Sequence, residues 1–402
     1  MTVSEGVVRD LIREDGQKIQ TIMQFLKSRG LVKTLAQLEE ESELSFFQHC
    51  LTEGAVLDEA LDSFWSRATT PELFQSVEEI VQSDGLCITQ VTQVISEIHG
   101  ASNPTTVSWH PTLQHIVATG AVDRRVVLRD INKDKGILGE VCVASPVLSS
   151  EWTEKGLFIG CMGGELYGIS FKQDFSEIHS SLLGKPHGSK RITSVVASPD
   201  GGLIATVAKD ACIHLICDGS KVGPIRCERD VASVCWIDTR ALVVAEIDNP
   251  ILTVWTLNQE GSKWERTSHI CMNLSPADPR NPYTTFAMAW NPEHRLLAAC
   301  TNRNSALIFS LPVSSPNLTC PIKTLYGMSI GALDIPFIDF SLDGSHLYVS
   351  SDRRILVFEV RSGHNVFDVP VSESKNVRCM RRSRVSDILA TVSFDRQLSI
   401  LA

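Results

Sequence analysis

No apolar run among the 402 residues approaches the roughly 18 needed to cross a bilayer as a helix, which excludes a helical membrane span. The twelve cysteines form no CxxC pair, so zinc-ribbon and dithiol redox motifs are absent and no cofactor is expected. Scattered along the chain, they read as small reduced hydrophobes. There is no G-x-S-x-G elbow and no HExxH. Gly184-Lys185 is followed by Pro186, and His179 stands where a phosphate loop needs its first glycine. The eleven histidines are dispersed. Catalysis, a metal centre and a small-molecule substrate are therefore not expected; the enzyme alternative retains only an axial channel lined by loops of several repeats. The opening Met1-Thr-Val-Ser-Glu-Gly6 carries no basic segment followed by an apolar one, so the expectation is a cytoplasmic or nuclear chain that is not secreted.

The charge is uneven. Residues 1–85 hold 16 acidic and 7 basic side chains, a net of −9 out of the chain's −10. Such a segment repels nucleic acid and anionic membrane and suits partners with basic patches.

From Trp109 to the end one pattern recurs seven times. A strand ends in a bulky or apolar residue (Trp109, Trp152, Ala197, Trp236, Trp290, Phe340, Met380), and a turn leads to a second strand. A small or acidic turn residue follows: Asp123, Gly163, Asp210, Asp248, Asn304, Asp352 and Asp395, at periods of 40, 47, 38, 56, 48 and 43. Units of strand length at this spacing predict a β-propeller, because one four-stranded sheet cannot bury both faces until neighbours stack on it. The seventh copy ends at Leu398-Ser-Ile-Leu401 without a fourth strand. The alternating stretch 87–95 (Cys87-Ile-Thr-Gln-Val91-Thr-Gln-Val94-Ile95) is expected to supply it and close the ring, leaving no open edge.

These repeats resemble the WD40 family over roughly the last three quarters of the chain. The family's Trp-Asp pair is nowhere intact: its places read Arg129-Asp130, Ile169, Ile216, Ser310, Phe358-Glu359 and Leu401, with Trp255 one residue late. The resemblance implies an inter-strand hydrogen-bond network in which Thr119, Thr206 and Thr391 precede a turn aspartate by four residues and His99 and His187 take the histidine position. Asp123, Asp210, Asp248, Asp352 and Asp395 are then blade-bracing residues.

Residues 1–85 have a period near 3.6 instead of 2. Ile19, Ile22, Phe25 and Leu26 form one stripe, Gly30 breaks it, and Leu31, Leu35 and Leu38 form a second, with Glu39, Glu40 and Glu41 on its polar side. Helices this short are marginal alone and need a partner surface. The run from Ile19 to Ser42 resembles the LisH motif, with Phe25, Leu35 and Leu38 replacing its usual Tyr, Ala and Phe. That resemblance implies a homodimer whose core holds Ile19, Ile22, Leu26 and Leu35; the alternative is packing on the helices that follow. Phe46, Phe47, Leu51 and the stretch 54–65 are similar, more weakly, to the CTLH segment.

The fold expectation is thus mostly β: a seven-bladed WD40-type propeller over 86–402, preceded by a small all-α LisH-type domain over 1–85. Lys375, Arg378, Arg381, Arg382 and Arg384 fall within ten residues of the seventh copy and form a candidate patch for an acidic partner or a phosphate. A solvated turn and docking of the chain's own acidic helices compete with that reading. The patch lacks interleaved aromatics, so direct nucleic-acid binding is not expected. Proline-bearing insertions at 266–282 and 312–321 are further candidate binding loops. The function these features imply is a non-enzymatic scaffold that self-associates through LisH helices and recruits other proteins on the propeller. Proteins of this architecture include Smu-type pre-mRNA splicing factors and ubiquitin-ligase subunits.

Overall fold

Alternation of apolar and polar residues, punctuated every few positions by turn residues, produces strands and only strands in the computed structural model, which describes residues 81, 87–133, 136–172, 174–258, 263–273, 283–311, 321–329 and 335–402. The chain divides into two units, Met1–Gln75 and Ser76–Ala402, and every described residue lies in the second. The stripes at Ile19, Ile22, Phe25, Leu26, Leu35 and Leu38 lie outside the described residues.

The described residues form seven four-stranded antiparallel sheets. Each takes four consecutive strands, except the last. Their first strands are Pro104–Trp109, Val147–Thr153, Ile192–Ala197, Val231–Asp238, Thr285–Asn291, Ile338–Phe340 and Val377–Arg382. First strands of successive sheets pack beside one another, the seventh against the first, so the sheets stand as blades around an axis. In blade 7, strand Val91–Ile95 pairs with Leu398–Leu401, register Val91↔Leu401 and Ile95↔Leu398, with Thr92 Oγ1 donating to the Ile400 carbonyl. The first and last described segments therefore share one sheet.

Blades hold together face to face. Trp109 packs with Val107, Ala390, Val392 and Ile400 between blades 7 and 1, and Trp152 with Val126, Leu128 and Leu157 between blades 1 and 2. Two indoles also staple neighbours: Trp109 Nε1 donates to the Arg381 carbonyl at 2.9 Å, and Trp236 Nε1 to the Val196 carbonyl at 3.3 Å.

Strand register corrects three sequence assignments. Trp109 lies opposite Val117 and Phe340 opposite Leu347; in blade 7 the residue so placed, opposite Leu389, is Arg382 and not Met380. An arginine at the end of the strand broke the apolar rule that located the others. The third-strand position opposite these second-strand residues is Arg129, Ile169, Ile216, Trp255, Phe309, Phe358 and Leu401. Trp255 is thus in place and not late: the turn before it, 247–250, is one residue longer than 122–124 in blade 1, and the extra residue is absorbed there. In blade 5 the position belongs to Phe309, not Ser310. Arg266 lies within the fourth strand of blade 4, Trp264–Cys271, so the first insertion begins after that strand.

Candidate protein-docking surface

The second-to-third-strand turns sit on one face of the ring, together with the connections that enter each blade. Here short polar side chains brace the sheets. In blade 1, His99 is buried; its Nδ1 lies 3.2 Å from Asp123 Oδ2 and its Nε2 3.0 Å from Thr119 Oγ1. Burial holds the His99 pKa below its ordinary value, against the opposing pull of Asp123. Blade 3 repeats the arrangement: His187 Nδ1 is 3.0 Å from Asp210 Oδ2 and Nε2 is 3.1 Å from Thr206 Oγ1.

The other blades reach the same end with different residues. In blade 7, Ser372 Oγ donates to Asp395 Oδ2 at 2.5 Å and Ser393 Oγ donates to Asp395 Oδ1, while Thr391 Oγ1 is buried without a partner. Asp248 accepts from Thr284 Oγ1 at 2.9 Å, tying blade 4 to the connection into blade 5. Asp352 has a backbone φ of +51° and makes no side-chain hydrogen bond among the described residues. Its place is filled by Ser351 Oγ, which donates to the Ser329 carbonyl at 2.9 Å.

Two bracing residues were not found in the sequence. Blade 2 has Gly163 at the turn, and Glu165 substitutes, accepting from Ser145 Oγ and pairing with Lys185, both at 2.8 Å. Blade 4 uses Glu246, buried, which accepts the Glu228 amide at 2.9 Å and Asn249 Nδ2 at 2.8 Å. A signal existed: Glu246 is the only charged residue in the second strand Ala241–Glu246.

The five basic residues of blade 7 do not meet in one patch. Lys375 is exposed in the connection before the first strand, and Arg378 lies 5.9 Å from the centroid of the Phe394 ring. Arg381 and Arg382 belong to the strand itself, not to the following turn, and Arg384 follows it. Two of the last three meet acids from other blades: Arg384 Nη2 is 2.7 Å from Glu151 Oε1 in blade 2, and Arg382 Nε is 3.9 Å from Asp339 Oδ1 in blade 6. Arg381 lies over the Phe337 ring at 5.5 Å. Burial opposes its charge, but Cys379 and the Glu151 and Asp339 carboxylates outweigh that and hold its pKa above the ordinary arginine value.

Arg381 occupies the register position of Glu151, Asp339 and Cys235 on their own first strands. Its coupling to carboxylates on blades 2 and 6, and that of Cys235 in blade 4 to Asp339, place these residues in one layer around the axis. Two ion pairs, Arg384–Glu151 and Arg382–Asp339, tie blade 7 to blades 2 and 6 beside this layer. Among the described residues no group of three or more His, Cys, Asp or Glu is placed to hold a metal, and no helix is long and apolar enough to cross a membrane.

A comparison with protein-family models matches residues 180–216 to the WD40 family, the WD domain, G-beta repeat. The matched segment starts in the fourth strand of blade 2 (Ile178–Gly184), runs through His187, and ends in the third strand of blade 3 (Cys212–Cys217). The sequence repeat is thus offset by one strand from the structural blade, and it covers the blade whose His187–Asp210–Thr206 set is complete. No curated protein matches the chain.

Proposed function

We propose that the chain is a non-catalytic scaffold that gathers other proteins, with the helical unit expected over 1–85 dimerising it or docking it through Ile19, Ile22, Leu26 and Leu35. A WD40-type propeller is the fold of many protein-interaction scaffolds. One observation carries the reading: His99, His187, Asp123, Asp210 and Asp395 on the turn face are engaged in bracing the blades, and Arg384 is ion-paired to Glu151, so these groups support the ring and its rims and clefts are the surface we read as on offer. The described cysteines are free thiols, which suits a reducing compartment, cytoplasm or nucleus. Smu-type splicing complexes and ubiquitin ligases are the settings this architecture suggests.

The test of partner recruitment is reversal of Arg381, Arg382 and Arg384 to Glu. Because reversal concentrates like charge beside Glu151 and Asp339, a thermal melt first checks that the ring is intact, and loss of at least one acidic partner in a pull-down from an intact ring is the expected result. Retention of every partner at wild-type levels assigns these arginines to ring cohesion alone.

A further inference from the structure

Between blades 3 and 4 the ring opens into a cleft of about 470 Å³. Trp255 and Trp264, both half-buried, line it together with Glu246; Arg226, Glu228 and Arg266 stand at its edge. Trp264 is held edge-to-face against Trp236, centroids 5.9 Å apart at 71°, and Trp255 Nε1 donates to Thr253 Oγ1 at 3.0 Å, so both rings are fixed in place.

The cleft is unusual in its charge. Glu246 is only 5% exposed, yet among the described residues no cation lies within ion-pair distance of it. Among the described residues its two hydrogen-bond partners are neutral donors, the Glu228 amide and Asn249 Nδ2, one on each oxygen. A carboxylate has about four acceptor sites, so each oxygen keeps capacity to spare. Buried charges are ordinarily paired, because desolvation without a counter-charge is costly. Two of the three rim cations are engaged elsewhere, Arg266 Nη1 lying 2.8 Å from Glu228 Oε1 and Lys263 Nζ 3.4 Å from Glu265 Oε1, while the third, exposed Arg226, makes no ion pair with Glu246. Burial, and after it the Glu246 carboxylate, push the Cys227 thiol on the cleft wall up to about 12, so the interior disfavours a further anion.

We propose that this cleft receives an arginine side chain of a partner protein, its guanidinium resting against the Trp255 and Trp264 indoles and donating to Glu246. The proposal deepens the scaffold reading and rests on it. A planar guanidinium stacks on aromatic faces, gives up hydration more readily than an ammonium, and presents a donor fork that fits the open acceptor sites of a carboxylate. The exposed Arg266–Glu228 pair and exposed Arg226 line the same cleft, so Arg266 and Arg226 are like charges that compete with or repel a guest arginine. Replacing either should therefore favour entry.

The test titrates the full-length chain, its tryptophans labelled with ¹⁵N, with Ac-Gly-Arg-Gly-NH2, its lysine counterpart and its glutamate counterpart. The expected result is saturable shifts of the Trp255 and Trp264 indole resonances with the arginine peptide, weaker shifts with lysine and none with glutamate. E246Q should weaken arginine binding at least about tenfold, the equivalent of one lost charge-assisted hydrogen bond. Since Glu246 also braces the blade, R266S gives a second arm that leaves it intact and should bind more tightly than wild type. Unshifted indoles, equal response to the glutamate peptide, or wild-type affinity in both E246Q and R266S would overturn the proposal. If the arginine peptide fails while a pull-down still recovers partners, the cleft assignment falls and the scaffold stands; an empty pull-down removes the scaffold reading itself.

Discussion

The worth of each polar side chain that braces a blade depends on whether its bonds are buried. Asp210→Ala removes the acceptor from His187 and strands a buried imidazole; the expected cost is about 1–3 kcal/mol in urea unfolding. Asp352→Asn should be nearly neutral in the same assay, because Asp352 makes no side-chain bond among the described residues and asparagine adopts its φ of +51° readily. His214 adds a pH dependence. Burial, then the charge of His187 whose ring lies 4.6 Å away, lowers its pKa from 6.5 to about 4. Between those values the unfolded chain binds a proton that the folded chain does not, so this stability is complete above pH 6.5 and is lost as pH falls toward 4. Thermal melts across that range should decline less steeply for His214→Gln than for wild type, by an amount moderated by the partial exposure of the ring.

At the scale of the element, most strands were legible because apolar positions and turn residues recur together; every one of the seven first strands contains the position expected from the pattern, and in blade 7 the register moves the equivalent position within that strand from Met380 to Arg382. There the residue at the end of the strand is Arg382, whose stem packs while its head reaches Asp339, and an apolar search slid two residues back to Met380. The length of one turn displaced Trp255 on paper, though pairing with Leu242 keeps it in register. The bracing role of His99 and His187 was implied by the resemblance to the WD40 family, whose pattern has a histidine at these places, whereas Glu165 and Glu246 have no place in that pattern and show themselves only in three dimensions. The cleft between blades 3 and 4 was illegible for the same reason: its two tryptophans and its carboxylate come from three different strands or strand ends. Strand Val91–Ile95 is the element on which closure depends, since it pairs with Leu398–Leu401 and Ile95 packs near Ile400 and Leu398. A chain beginning at Pro104 leaves that edge unpaired and should lose cooperative melting and aggregate; a soluble, sharply melting product would show that the ring closes without it.

For the whole molecule, the first 85 residues carry a net charge of −9 and the remainder −1, and the proposed scaffold would assign association to the former and docking to the latter. Leu26→Asp places a charge in the expected dimer core, and light scattering should then report a monomer whose propeller melts as before; an unchanged mass would show that Leu26 does not hold the chains together. Partner capture is the most direct measurement of what the ring is for: quantitative affinity purification of the full-length chain from its native cells. The account predicts protein partners recovered in near-stoichiometric amounts and a changed partner set when Arg381, Arg382 and Arg384 are reversed. A chain that elutes alone, or that turns over a small-molecule substrate once pure, would contradict it.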